Sequence, residues 1–265
     1  MNKLDLVLKR LQKGGLKVKP QKCKWAMTEV EYLGHWITQK GVKPMANKVE
    51  SILGIQQPRT RKEIRRFMGM INFYRDMWEK RSGRLALLAA LTSKTRRWKW
   101  TDICTKAFEG IKSIIARDVM LSYPNFSKEF IIHADASDAQ LGGVINQDNK
   151  PLAFFSRKLL DAQKSYTVTE RELLSIVEIL KEYRNMLLGQ KIIVYTDHLN
   201  ILNVNTKSVY RVQRWRLLLE EYGVEIRYIK GGDNIVADAL SRMKIHKKNK
   251  EEKLRSVKTI KCHAH

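Results

Sequence analysis

The sequence predicts an α/β fold: a mixed five-stranded sheet with flanking helices, preceded by a smaller α+β region that is mostly helical. Two observations carry that prediction. Apolar, strand-like runs follow one another over 129–135, 141–147 and 152–156, which reads as a meander. Helix and strand patterns then alternate over 167–187, 191–196, 209–222, 224–230 and 233–242, which adds parallel strands and lays helices on the faces of the sheet. At 265 residues and 43% hydrophobic, the chain has the material for two modest cores.

Taken in order, Leu4, Leu6, Val7, Leu8 and Leu11 have helical spacing, and Gly14-Gly15 stops that helix. A strand-like LKVKP follows. Two apolar stretches, one around Trp25 and one from Tyr32 to Ile37, read as a hairpin closed by Gly41 and Pro44. Residues 1–57 are therefore a small unit with too few strands to stand as a domain. From Pro58 a capping-box signature, Thr60 with Glu63, precedes apolar Ile64, Phe67, Met68, Ile71, Tyr74 and Trp78 at helical spacing. The other face carries Arg61, Lys62, Arg65, Arg66 and Arg75, near enough to one another to follow a phosphate backbone, although a basic face also suits plain solvation. Leu85 to Leu91 gives a short apolar helix. Thr101 caps a further one whose Ala107, Phe108, Ile111 and Ile115 face inward, with Trp98 and Trp100 as core anchors. Residues 58–123 thus form a helical region. The turn cluster SYPNFSK marks the boundary at Pro124, 124–242 holds the sheet, and 243–265 is a basic tail expected to be disordered.

Charge narrows the function. Lys plus Arg number 51 against 27 Asp plus Glu, a net charge of +24. That balance points to a polyanion, and to nucleic acid ahead of a membrane surface, because no lipid-binding or lipidation signal accompanies it. Three scattered cysteines, Cys23, Cys104 and Cys262, write neither a disulfide framework nor a paired zinc motif, which suits a reducing intracellular compartment. The terminal KCHAH has no partner pair after it.

The chemistry centres on four carboxylates. Asp135 closes the first strand of the sheet and Asp197 closes the fourth, both after apolar runs that must be buried. Glu172 lies in the first turns of TVTERELLSIVEILKEY beside the stripe Leu173, Ile176, Val177 and Leu180. Glu170 is its rival, about 200° away around the helix. Asp238 sits in VADALSR. Four carboxylates gathered without a cation would repel one another and raise one another's pKa values. Hard oxygen ligands without paired Cys or His favour magnesium or manganese, and two such ions about 4 Å apart suit phosphodiester hydrolysis.

In order along the chain, YLGHWITQKGVKP, RRFMGMINFYRDM, WKWTDICTKAFEGIK, HADASDAQLGGVI, AFFSRKL, TVTERELLSIV, YTDH, VQRWRLLLEEY and YIKGGDNIVADALSR resemble the gypsy-type LTR-retrotransposon reverse transcriptase polyprotein, over roughly residues 4–242. The resemblance implies the end of a polymerase palm in 1–57, thumb and connection-like helices in 58–123, and a type I RNase H domain in 124–242. The family's RNase H acids fall on Asp135, Glu172, Asp197 and Asp238, and its acidic residue immediately before Leu-Leu favours Glu172 over Glu170. The implied activity is hydrolysis of the RNA strand of an RNA/DNA hybrid with two magnesium or manganese ions. The hybrid would be recognised through phosphates and 2′-hydroxyls, with Arg61, Lys62, Arg65, Arg66, Lys158, Arg211 and Arg214 as candidate contacts. The expected setting is a cytoplasmic particle or the nucleus. The aromatic-x-Asp-Asp hairpin of the family's polymerase site is not in the sequence, so the resemblance implies no polymerisation by this chain alone, and a fingers-palm region as a partner. Two departures stand out. Gln140 replaces a usual glycine, which bears on the tightness of its turn, and YIKGGDN has no histidine for a product-release role.

Overall fold

The computed structural model describes residues 3–95, 97–116, 120–198 and 210–229. Helix α1 (Lys3–Lys13) opens the chain and buries none of its side chains. Strands β1 (Glu29–Tyr32), β2 (His35–Thr38) and β3 (Val42–Pro44) form a three-stranded antiparallel sheet in that order. The hairpin was expected one stretch earlier. Trp25 lies outside the strands and is exposed, and LKVKP is not a strand but runs into a 3-10 turn at Pro20–Lys22. Its alternation of Leu and Val with Lys has no neighbouring strand to pair with among the described residues, and pattern without a partner does not make a sheet. Helix α2 (Ala46–Leu53), which the sequence did not suggest, follows and buries only Ile52.

Helix α3 (Arg61–Asn72) starts where Thr60 accepts the Glu63 amide through its side chain at 3.2 Å. Glu63 in turn accepts the Arg59 amide at 2.7 Å, one residue beyond the cap, with the Thr60 amide also turned toward its carboxylate. Helix α4 (Arg81–Ala90) and helix α5 (Asp102–Ile115) complete the unit. Thr101 precedes α5 but makes no side-chain cap; its hydroxyl sits 3.3 Å from Cys104 Sγ. The core is Ile64, Phe67 and Ile71 of α3, Leu85 and Leu88 of α4, and Phe108, Ile111 and Ile115 of α5, with Trp98 and Trp100 packed on its rim. Phe67 and Phe108 meet at its centre with their rings tilted by 51° and centroids 4.6 Å apart.

The second sheet holds β4 (Phe130–Ala136), β5 (Gln140–Gln147), β6 (Lys150–Lys158), β7 (Ile192–Thr196) and β8 (Glu225–Tyr228), in the order β6-β5-β4-β7-β8. The first three strands are an antiparallel meander, while β7 runs parallel to β4 and β8 parallel to β7. This is the mixed five-stranded sheet that the alternation of elements implies. A short helix α6 (Asp161–Lys164) leads into α7 (Val168–Glu182), whose Leu173, Leu174, Ile176, Val177, Ile179 and Leu180 join Phe130, Ile132, Ile145 and Val194 in a second core. The predicted helix 167–187 breaks at Tyr183, whose hydroxyl donates toward Asp76 at 3.0 Å and toward the Phe154 carbonyl at 3.1 Å, and resumes as α8 (Arg184–Leu187). Helix α9 (Tyr210–Glu221) covers the core with Val212, Trp215 and Leu219. The expected helix 233–242 and the basic tail lie outside the described residues.

Candidate metal centre and nucleic-acid face

Asp135 stands near the end of β4, the middle strand of the sheet, paired across to Gly142 of β5. The apolar run before it is buried because both neighbouring strands and α7 cover it, which forces the strand end and its carboxylate to the sheet margin. Asp197 follows the last residue of β7, the parallel neighbour of β4, so the two aspartates emerge at the same end of adjacent strands. Glu172 comes from the first turns of α7. Its residue is 2% exposed, and one carboxylate oxygen accepts the Ala136 amide at 3.0 Å. The other oxygen, Oε2, is buried and accepts no hydrogen bond among the described residues.

Burial, then the negative charge of Asp135 and to a lesser degree that of Asp197, push the Glu172 carboxyl up to about 9; the Ala136 amide only partly offsets this. A carboxyl so placed is neutral at pH 7 unless a cation joins it. The donor chemistry fits one. Ligand atoms of Glu172, Asp197 and His198 all lie within 4.8 Å of one another. His198 was not singled out from the sequence, although it stands in YTDH; its Nδ1 lies 2.8 Å from Asp197 Oδ1 and 3.9 Å from Glu172 Oε1. Asp238 lies outside the described residues.

Glu170 points elsewhere. It closes a capping box with Thr167 at the start of α7 and accepts from Arg211 Nε at 3.0 Å and Nη2 at 2.7 Å. Arg211 also lies over the Tyr166 ring, 4.1 Å from its centroid. Arg211, a candidate phosphate contact on sequence grounds, is thus already held in an intramolecular pair. Arg214 is exposed above the Tyr210 ring, and Lys158 is exposed at the end of β6. On α3, Lys62 and Arg66 are exposed, Arg61 is half-buried, and Arg65 donates to the Thr92 carbonyl at 2.6 Å.

Comparison with known proteins places this geometry. Residues 125–222 match the model of the RNase H-like domain found in reverse transcriptase. The chain is 37% identical over 260 residues to the retrovirus-related Pol polyprotein from transposon 297 of Drosophila melanogaster, covering 95% of this chain and 24% of that protein. It is 35% identical over 248 residues to the transposon Tf2-3 polyprotein of Schizosaccharomyces pombe, covering 89% and 19%. The chain therefore spans about a quarter or less of the length of these relatives. Among solved structures, the foamy viral protease-reverse transcriptase in complex with an RNA/DNA hybrid superimposes with a TM-score of 0.76 at 25% identity, over 93% of this chain and 35% of that one. The same viral protein in complex with double-stranded DNA gives 0.71 at 26% identity, over 86% and 50%. The ordered motifs, the five-stranded sheet and these matches agree: residues 125–222 match the RNase H-like domain found in reverse transcriptase, and the chain as a whole is similar to part of the LTR-retrotransposon polyproteins.

Proposed function

We propose that this chain hydrolyses the RNA strand of RNA/DNA hybrids at a divalent-cation site formed by Asp135, Glu172 and Asp197, with Asp238 as a fourth carboxylate. The observation that carries this reading is Glu172: a buried carboxyl with one oxygen lacking a hydrogen-bond partner, set among two further acids. A carboxyl in such surroundings lowers the stability of the fold unless it serves a bound cation. Two magnesium or manganese ions would supply Lewis acidity at the scissile phosphate and at the attacking and leaving oxygens.

The chain's own groups set the stage. The Ala136 amide fixes one Glu172 oxygen, the same oxygen that lies 3.9 Å from His198 Nδ1, and leaves the other buried without a hydrogen-bond partner among the described residues. His198 bonds the Asp197 carboxylate and so limits its rotation. The acids stand on a strand end, a helix and a neighbouring strand end, each tied into the second core, so their spacing is preset by packing. The cluster's negative charge repels a phosphodiester, and that repulsion makes cation binding a precondition for bringing the substrate close.

A labelled RNA/DNA hybrid incubated with magnesium or with EDTA tests this. Cleavage is expected only with the cation, and Asp197→Asn is expected to lower it about a thousand-fold, the loss of roughly 4 kcal/mol of transition-state stabilisation. Cation-independent cleavage, or cleavage untouched by Asp197→Asn, would leave a nucleic-acid-binding protein without this chemistry. Hybrid binding should weaken steeply with salt. Replacing Lys62, Arg66 and Lys158 together by Ala should flatten the slope of log K against log salt by about two to three, one unit for each phosphate no longer neutralised. Activity inside a cytoplasmic particle or the nucleus, and pairing with a fingers-palm polymerase region, belong to the same proposal.

A further inference from the structure

Gln140, which stands in the turn after Asp135 where the sequence resemblance leads one to expect a glycine, does not turn its side chain out to solvent. It is buried, and its Oε1 accepts the Ser82 hydroxyl at 2.8 Å, across 58 residues of sequence, from the first turn of α4. Space for this comes from Gly83: a Cβ added there would stand 2.7 Å from Gln140 Oε1. Ser82 is itself anchored to β6. Its amide donates to Ser156 Oγ at 3.0 Å, its hydroxyl lies 2.8 Å from the same atom, and Arg81 donates to the Ser156 carbonyl at 3.0 Å. One directional chain satisfies these groups: Ser82 N–H to Ser156 Oγ, Ser156 O–H to Ser82 Oγ, and Ser82 O–H to Gln140 Oε1.

The other end of Gln140 is the turn that follows Asp135. Its carbonyl accepts the Ser137 amide at 2.9 Å and its amide donates to Ser137 Oγ at 3.1 Å, so the turn is tight despite the missing glycine. The residue before Ser137 is Ala136, whose amide holds Glu172. On the far side Arg171, the neighbour of Glu172, pairs with Asp138 of the same turn. Three bonded contacts therefore lead from α4 of the helical unit, through Gln140 and the 137–140 turn, to the carboxyl at the centre of the acidic cluster.

We propose that Gln140 is a positioning residue through which the helical unit holds the 136–140 turn, and with it Glu172, in the geometry that binds the divalent cation. This rests on the cation site proposed above. The contact is polar and specific, since an apolar side chain of the same length would fill the volume but accept nothing from Ser82. Groups that orient a ligand from outside the ligand set commonly change metal affinity by about 10- to 100-fold when removed.

The test uses the full chain and manganese. Gln140→Met keeps the size and loses the acceptor; Ser82→Ala removes the donor from the helical side. For each, the manganese concentration at half-maximal hybrid cleavage is measured together with the midpoint of manganese-induced thermal stabilisation. Both midpoints are expected to rise about tenfold in either variant, with cleavage recovered at saturating manganese, and to rise no further in the double variant. A merely structural role would lower the melting temperature and leave both midpoints where they were, and that result overturns the proposal. So does a double variant whose shifts simply add. If the unaltered chain shows neither manganese-dependent cleavage nor manganese-induced stabilisation, the cation site itself is wrong and the role of Gln140 falls with it.

Discussion

Glu172→Gln is expected to abolish hybrid cleavage and, in EDTA, to make the protein more stable. The two effects have one cause. With its carboxyl raised to about 9 by burial and by the Asp135 and Asp197 charges, Glu172 holds a proton in the folded state that it has released in the unfolded state throughout the window from about pH 4.5 to 9. The folded state then binds more protons than the unfolded one, so stability falls as pH climbs through that window. A glutamine keeps the oxygen that receives the Ala136 amide and offers the neighbouring carboxylates a donor in place of a like charge. The expected gain is on the order of a few kcal/mol at pH 8 and vanishes toward pH 4. Chemical denaturation of both proteins at pH 5 and pH 8, with and without magnesium, reads all of it. In the unaltered chain magnesium should recover much of the stability lost at pH 8, because a cation replaces the proton; in Glu172→Gln it should add little. Equal pH dependence in the two proteins would sink the account.

Gly143→Ala is expected to destabilise the sheet domain by about 1–3 kcal/mol. Gly143 lies in β5 under helix α7, where an added Cβ would stand 2.4 Å from Ile179 Cδ1 and 3.0 Å from the His133 carbonyl. Ile179 is fully buried, so its terminal methyl has nowhere to retreat. Ile179→Val removes that methyl and by itself costs about 0.5–1.5 kcal/mol. Combined with Gly143→Ala it should restore part of the loss, giving a favourable coupling between the two changes in denaturant melts. Because α7 also carries Glu172, the single Gly143→Ala variant should lose cleavage as well as stability. Simple additivity of the two substitutions would mean that α7 does not bear on β5 at this point.

What the sequence disclosed and what it hid divide along locality. Strands β4 to β8 were legible because apolar runs bounded by turns have few alternatives, and α7 because its stripe of Leu173, Ile176, Val177 and Leu180 has one period. The same periodicity puts Glu172 and Glu170 on different sides of the helix without choosing between them; the resemblance favours Glu172, and the structure sends it inward and Glu170 to its cap and Arg211. Asp135 and Asp197 were placed by the strand ends at which they stand. The failures are non-local. LKVKP has a strand's composition, but pairing is decided by a partner that composition does not encode. The Arg211–Glu170 pair spans 41 residues and the Ser82–Gln140 bond spans 58, so Gln140 reads from the sequence as an oddity in a turn and not as a tie to a distant helix. Helix α2 buries one side chain, too little to leave a stripe.

The passage between the two cores is short and held on both sides. Leu121 exchanges backbone hydrogen bonds with Val42 beside the small sheet, at 2.8 and 2.9 Å, and the next residue, Ser122, donates its amide to the Pro151 carbonyl in the large one. One peptide link thus separates an attachment to the first unit from an attachment to the second. No free stretch of chain lies between the two attachments at this point. Were a duplex to rest on both units, as the proposed function requires, this short tie would limit how far its two points of contact could move apart.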